Sequence, residues 1–192
     1  MNRCAWANSH ALLAEYHDAE WGVPLHDDER QFEFLCMEVM QCGLSWLTVL
    51  KKREAFRCAF DDFDAAKVAC YTEEDIGSIM QVTHMIRSPR KIRAIISNAR
   101  AFLRIRQEFG TFSTYLWRFT DNRVMHYPDH TGEVVVSRNE LSDIISKDLR
   151  ARGFTFLGSI TVYAHLQAAG LINDHAHDCF RYHELRVGET EA

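Results

Sequence analysis

Residues 88–110, SPRKIRAIISNARAFLRIRQEFG, constrain the fold of this chain more than any other stretch. Ser88-Pro89 places a capping hydroxyl before a proline at the first helical position. Ile92, Ile95, Ile96, Ala99, Phe102 and Leu103 then recur at helical spacing, and Gly110 supplies a stop. The apolar face of such a helix has to be covered, and the rest of the chain offers almost only helices to cover it. Phe32, Leu35, Cys36 and Val39 form a second stripe that Gly43 can end. Ser45 is placed to cap a helix carrying Trp46, Val49, Leu50, Phe56 and Phe60. Residues 64–71 read as a short helix. Thr72 followed by Glu73, Glu74 and Asp75 reads as the start of another, with acids at the positive end of the dipole. SRNE, 137–140, fits a capping box opening a helix that Gly153 ends, and a further helix spans 159–170. GEVVVS, 132–137, is the only plausible strand material. The expected fold is an all-α domain of about eight to ten helices.

With 192 residues, 47% hydrophobic and 26% charged, the chain suits one globular domain rather than a disordered one. It has no apolar run long enough for a membrane span and no signal-peptide pattern at its start, so a cytoplasmic protein is expected. The six cysteines then read as buried thiols or metal ligands before they read as disulfides. The net charge of −5 hides a segregation: residues 84–107 hold seven Lys and Arg and no acid, whereas residues 1–40 hold eight acids and two bases. The basic segment suits a phosphate-facing surface, and equally a solvated helix face paired with acids elsewhere.

His175 and Cys179 in NDHAHDCF lie four apart, on one face if the segment is helical, and can present two ligands to one ion. Cys4 and His17 would complete a Cys2His2 set that joins the chain ends as a structural staple, with no vacancy for chemistry. His10 could replace His17, and His177 or His183 could replace His175; spacing does not choose among them. A second constellation is Glu38, between apolar neighbours, with Gln41 one turn on and Trp46 just past Gly43. A carboxylate beside an amide and an indole suits a flat, cationic ligand, against the plainer reading of a surface acid and a core tryptophan. Trp6, Tyr16 and Trp21 add aromatic surface near the N-terminus, for which core packing is the competing explanation.

Taken together, the blocks RCAW, YHDAEWGVP, E-x-x-Q-x-GLSW-x-TVLKKRE, RKI-x-AII-x-NARAF, RGF-x-F-x-G and LQA-x-GLINDH resemble the 3-methyladenine DNA glycosylase I family over residues 3–182. The resemblance implies a helix–hairpin–helix architecture in one glycosylase domain, 1–192, whose hairpin lobe spans about 45–120. It implies a monofunctional N-glycosylase of base-excision repair that flips 3-methyladenine out of alkylated duplex DNA and releases it hydrolytically. The zinc ligands it implies are Cys4, His17, His175 and Cys179, holding one structural Zn2+ per chain. The base pocket falls on Glu38, Tyr16 and Trp46, supported by Trp6, Trp21 and Gln41. Glu38 is expected mainly to recognise the base, as the one site residue placed at the chemistry, with no general base for water and no Schiff-base lysine. Arg87, Arg90, Lys91 and Arg93 are expected at the DNA, and the protein is expected to be a monomer. Two departures from the family pattern stand out. His84 occupies the hairpin's glycine position, with Pro89 in the turn, and His10-Ala11 and Leu13 replace an aspartate-proline pair and a tyrosine. They leave room for a second reading, a catalytically weak DNA- or base-binding module that keeps the zinc staple. A zinc hydrolase would need an open coordination position, which a Cys2His2 set lacks.

Overall fold

The stripe on residues 88–110 becomes the longest helix, Pro89–Phe109, in a computed structural model that describes residues 2–127 and 136–186. Eleven α-helices occur among the described residues. In chain order they are α1 (Ala11–Ala19), α2 (Asp28–Gln41), α3 (Trp46–Leu50), α4 (Arg53–Ala59), α5 (Ala65–Ala69), α6 (Glu73–Ile79), α7 (Pro89–Phe109), α8 (Phe112–Trp117), α9 (Glu140–Ala151), α10 (Ser159–Ala168) and α11 (Phe180–Glu184). The expected all-α class is the observed one, and no helix among the described residues is long and apolar enough to cross a membrane.

Helix starts follow the capping side chains. Ser45 Oγ accepts from the Thr48 amide, Ser88 Oγ from that of Lys91, and Thr72 and Asp75 close a reciprocal capping box. Two boundaries differ from expectation. Residues 46–60 form two helices, because the backbone leaves helical geometry at Lys52 (φ −110°, ψ 3°) with no glycine or proline to announce it. The capping box before α9 is Asn139 with Ser142, two residues later than the SRNE reading. Most of the proposed strand 132–137 lies outside the described residues, and positions 136 and 137 are not in a strand.

The core forms around α7, which packs on α2, α5, α6 and α8, while α10 packs on α2 and α9. Phe102 of α7 stacks on Phe112 of α8 at 4.5 Å and meets Phe32 of α2 at 5.2 Å. The chain ends are tied to this frame and to each other. Gly22 N donates to Gln167 O at 3.1 Å, Leu25 N to Ala169 O at 3.0 Å, and Phe180 N to Asn2 O at 3.0 Å. Gly170 makes the approach possible: at φ +71°, a Cβ there would stand 2.5 Å from the Val23–Pro24 backbone.

Between α6 and α7 a tight turn holds His84 at φ +67°, in the left-handed region. Arg93 of α7 pairs with Glu73 of α6 through two hydrogen bonds, 2.9 and 2.6 Å, bracketing that turn from both helices. Lys52 Nζ donates to the His84 carbonyl at 2.6 Å, so the α3–α4 junction props the same turn.

Candidate active site and metal centre

Cys4, His17, His175 and Cys179 converge, all buried, with their donor atoms within 4.8 Å of one another. Cys4 Sγ lies 3.6 Å from His175 Nδ1, which lies 3.2 Å from His17 Nε2; Cys179 Sγ stands 3.4 Å from His17 Nε2 and 3.7 Å from His175 Nδ1. A tetrahedral divalent ion with bonds of about 2.3 Å to sulfur and about 2.0 Å to nitrogen spaces its ligands about 3.3–3.8 Å apart, so the set fits one ion. Two thiolates also neutralise a divalent cation, which suits burial. Burial favours the uncharged forms of two of them, pushing the Cys4 thiol up to about 12 and His175 down to about 3.

The outer contacts orient both imidazoles. His17 Nδ1 faces Asp18 Oδ1 at 2.8 Å, and Arg3 grips that carboxylate and holds it down at about 2. His175 Nε2 lies 3.1 Å from the Trp21 carbonyl. Each ring thereby turns its other nitrogen toward the cluster. Gly22 is required beside it: at φ +81°, a Cβ would stand 2.7 Å from His175 Nε2. The His175–Cys179 pair is not presented by a helix, as its spacing suggested. Residues 173–178 are non-helical, a turn closed by Cys179 N donating to Ala176 O at 2.8 Å makes the juxtaposition, and α11 starts only at Phe180. The competing histidines are elsewhere: His10 caps α1 by accepting from Leu12 N, and His177 packs against Tyr182 at 4.5 Å between centroids.

Alongside the cluster lies a cavity of about 470 Å³, within the ~300–1,000 Å³ range of small-molecule sites. Glu38, Tyr16, Trp46, Trp6, Trp21 and Gln41 all line it. Glu38 projects from α2 and is 4% exposed. Burial pushes its carboxyl up to about 8, and its carboxyl has no hydrogen-bond partner among the described residues. Tyr16 of α1 and Trp46 of α3 set their rings 5.3 Å apart at 52°; Trp6 and Trp21 meet edge to face at 5.1 Å. Among the described residues, the lining includes no lysine, arginine or histidine. Sequence reasoning missed Gln167 and Asp174, which also line the cavity, although both fall inside the block LQA-x-GLINDH.

The four basic residues expected at DNA divide. Arg87 and Arg90 are exposed at the turn and at the start of α7, with Arg90 lying over the Phe156 ring at 5.0 Å. Arg93 is exposed but paired with Glu73. Lys91 turns inward: it is 9% exposed, and its ammonium donates to the Met40 and Cys42 carbonyls, both at 2.7 Å. It thereby fixes the end of α2, which carries Glu38 and Gln41.

The fold and the cavity define a protein that, among the described residues, is all-helical and sets aromatic rings beside a buried acid in one cavity. Residues 6–182 match the family model described as methyladenine glycosylase, and the chain belongs to that family. It is 43% identical to DNA-3-methyladenine glycosylase 1 of Escherichia coli strain K12, over 95% of this chain and 97% of that one. Two solved structures are similarly close. One, on 3-methyladenine recognition by 3-methyladenine DNA glycosylase I from Staphylococcus aureus, has a TM-score of 0.89 at 38% identity, over 94% of this chain and 96% of that one. The other, a tyrosine-to-phenylalanine variant of 3-methyladenine DNA glycosylase I in complex with 3-methyladenine, has a TM-score of 0.89 at 37% identity, over 94% and 97%.

Proposed function

We propose that the protein is a base-excision repair enzyme, a monofunctional N-glycosylase that removes 3-methyladenine from alkylated duplex DNA as a single-domain monomer. The observation that carries the reading is the buried carboxyl of Glu38 facing the same cavity as the Tyr16 and Trp46 rings, with neither a hydrogen-bond partner nor a cation beside it among the described residues. Methylation at N3 gives adenine a positive charge and makes it a good leaving group. Ring faces and a carboxylate both attract that charge, the rings by about 1–2 kcal/mol when desolvated. Glu38 accepts hydrogen bonds from the amine edge of the base, which a guanine does not offer in that place. Its proton matters too. The empty pocket keeps the carboxyl neutral, and an arriving cation favours its ionisation, so an unmodified, uncharged adenine meets a poorer partner. Trp6, Trp21 and Gln41 complete the wall around the base.

The turn at His84 supports a helix–hairpin–helix reading of α6 and α7. His84 supplies the positive φ that a glycine would otherwise provide, so its presence does not prevent the hairpin from presenting backbone amides to a phosphate. Arg87 and Arg90 add exposed charge there, Arg93 braces the two helices, and Lys91 acts from inside. The four-residue cluster would hold one structural Zn2+, which supplies no chemistry to the reaction. Its closed donor set leaves the ion the task of joining the N-terminal segment to the 173–179 loop, and through His17 of steadying α1.

The decisive experiment is release of 3-methyladenine from methylated duplex DNA, with Glu38→Gln and Trp46→Ala measured in parallel. Release by the wild type and its collapse in both variants is expected; a wild type that binds the base yet releases none would leave a binding module instead.

A further inference from the structure

The block TVLKKRE ends in charges for which the glycosylase reading has so far given no task, and Arg53 is the best connected of them. It opens α4, immediately after the break that separates that helix from α3. Its Nη1 donates to Glu20 Oε1 at 2.7 Å and its Nε to Glu33 Oε1 at 2.8 Å. Glu20 caps the end of α1, where its own amide donates to the Tyr16 carbonyl at 2.9 Å. Glu33 stands on α2, the helix of Glu38, and Trp46 opens α3, which leads into α4. One guanidinium thus ties together the three segments that carry Tyr16, Glu38 and Trp46. Among the described residues no other side chain pairs with both carboxylates. Arg30 reaches Glu20 at 2.8 Å, and Arg57 reaches Glu33 at 2.9 Å and the exposed Glu54.

The tie borders the base pocket through Tyr16, which lines two cavities. One it shares with Glu38 and Trp46; the other, of about 470 Å³, is lined also by Glu20, Arg30, Arg53 and Arg57. The Tyr16 ring meets Phe34 at 6.4 Å as well as Trp46 at 5.3 Å, and the Arg53 guanidinium lies 5.8 Å from the Phe34 centroid. The side chains of Arg53, Glu20 and Glu33 are only 12%, 20% and 8% exposed, so all three give up much of their hydration. A buried ion pair recovers that cost only in part, and apolar groups of the same shape often stabilise a fold as well. What apolar groups do not supply is the planar fork of an arginine, which fixes the relative placement of two carboxylates. We propose that Arg53 is a positioning residue of the reaction, which through Glu20 and Glu33 holds α1, α2 and α3 in register so that Tyr16, Glu38 and Trp46 close on the base together. The inference rests on the glycosylase reading and concerns side chains outside both the base pocket and the metal cluster.

The test compares Arg53→Met and Arg53→Lys in the full chain. Affinity for free 3-methyladenine is read by tryptophan fluorescence, and single-turnover release is read on methylated duplex DNA. Arg53→Met leaves Glu20 with Arg30 and Glu33 with Arg57, so neither acid is orphaned and the fold is expected to persist. With the cross-tie cut, base affinity is expected to fall about tenfold and the release rate at saturating DNA about 10²-fold, at unchanged helicity and metal content. Arg53→Lys restores the charge without the fork and is expected to stay within about threefold of the Met variant in both readouts. Glu20→Ala cuts the same tie from α1; it is expected to reproduce the Met result and decides the matter should Arg53→Met fail to fold. A Met variant that binds and releases the base like the wild type overturns the inference. So does full rescue by lysine, which would make charge alone sufficient. So does a loss matched by an equal loss of helicity or bound metal, which would make Arg53 part of the general scaffold. A wild type that binds the base but releases none removes the glycosylase reading, and the affinity titrations then decide this inference alone. A wild type that neither binds nor releases the base overturns both.

Discussion

Tyr16 and His17 are consecutive residues of α1 that face two different centres. The Tyr16 ring stands 5.3 Å from Trp46 in the wall of the cavity, and His17 Nε2 stands 3.2 Å from His175 Nδ1 in the metal cluster. Any shift of α1 that relaxes one therefore moves the other. The two lie on a short helix of nine residues that contributes little stability of its own.

Metal removal should accordingly reach the base pocket. Stripping the ion with a strong chelator, or replacing Cys179 by Ser, is expected to cost at least about 3 kcal/mol of unfolding stability and to abolish 3-methyladenine binding. Of the four ligands, only Cys4 borders the cavity, so lost binding would report the coupling through α1 rather than a lost contact. Elemental analysis should find one zinc per chain. Unchanged melting and unchanged base affinity after complete metal removal would contradict both the staple and the coupling.

Glu38 predicts a pH dependence with a definite sign. The unfolded chain releases this proton near 4.5, while the folded protein keeps it up to about 8. Between those values the folded state binds more protons than the unfolded one, so this residue makes stability fall as pH rises, and the effect levels off above about 8. Glu38→Gln removes that contribution. The variant should match the wild type near pH 4 and exceed it by a margin approaching about 4 kcal/mol near pH 8, measured by denaturant midpoints across the range. A difference that does not change with pH would refute the buried, uncharged acid. Base release by the same variant should collapse at every pH, which separates the function of Glu38 from its cost.

Lys91 and Arg87 should separate in the same way. Lys91 makes two charge-assisted bonds to carbonyls at the end of α2, so Lys91→Met is expected to lose about 2–4 kcal/mol of stability while leaving the salt dependence of DNA binding unaltered. Arg87 is exposed, with no ion pair among the described residues. Arg87→Ala should leave stability within about 0.5 kcal/mol and lower the slope of log affinity against log salt by about 1. The reverse pattern would place Lys91, not Arg87, on the phosphates.

What the sequence made legible here is what local chemistry encodes. The Ser45, Thr72 and Ser88 caps and the stripe on residues 88–110 are visible because each acts within a few residues. The break at Lys51-Lys52 was invisible, since neither residue is a helix breaker and tertiary packing decides the bend. Asn139 displaced Ser137 as a cap because both residue types suit the role and their spacing does not discriminate. The metal set shows the same limit at long range. Spacing suggested Cys4, His17, His175 and Cys179 but could not reject His10 or His177, since a contact between residues some 160 positions apart leaves no local signal. The family resemblance chose, and the geometry brings the chosen four together. Asp174 was passed over for a related reason: a single acid in a loop is unremarkable until the fold brings it to the cavity lining beside Gln167, which hydrogen-bonds it.

His84 offers the last test: it stands where the family pattern has a glycine, and it still takes a positive φ. Its φ of +67° lies where an L side chain pays about 1–2 kcal/mol, partly offset for histidine, which visits that region more readily than most residues. Lys52 Nζ, 2.6 Å from its carbonyl, holds the conformation. His84→Gly should therefore keep the turn, with stability within about 1 kcal/mol of the wild type because relief of strain opposes the freer unfolded chain. His84→Val, β-branched at a positive φ, should lose about 1–3 kcal/mol and weaken DNA binding as the turn shifts away from the phosphate. Melting curves and salt-controlled DNA titrations on the two variants distinguish a backbone requirement from a side-chain one. If Val binds DNA as well as Gly does, the hairpin backbone is not the phosphate contact, and the exposed Arg87 and Arg90 must supply it alone.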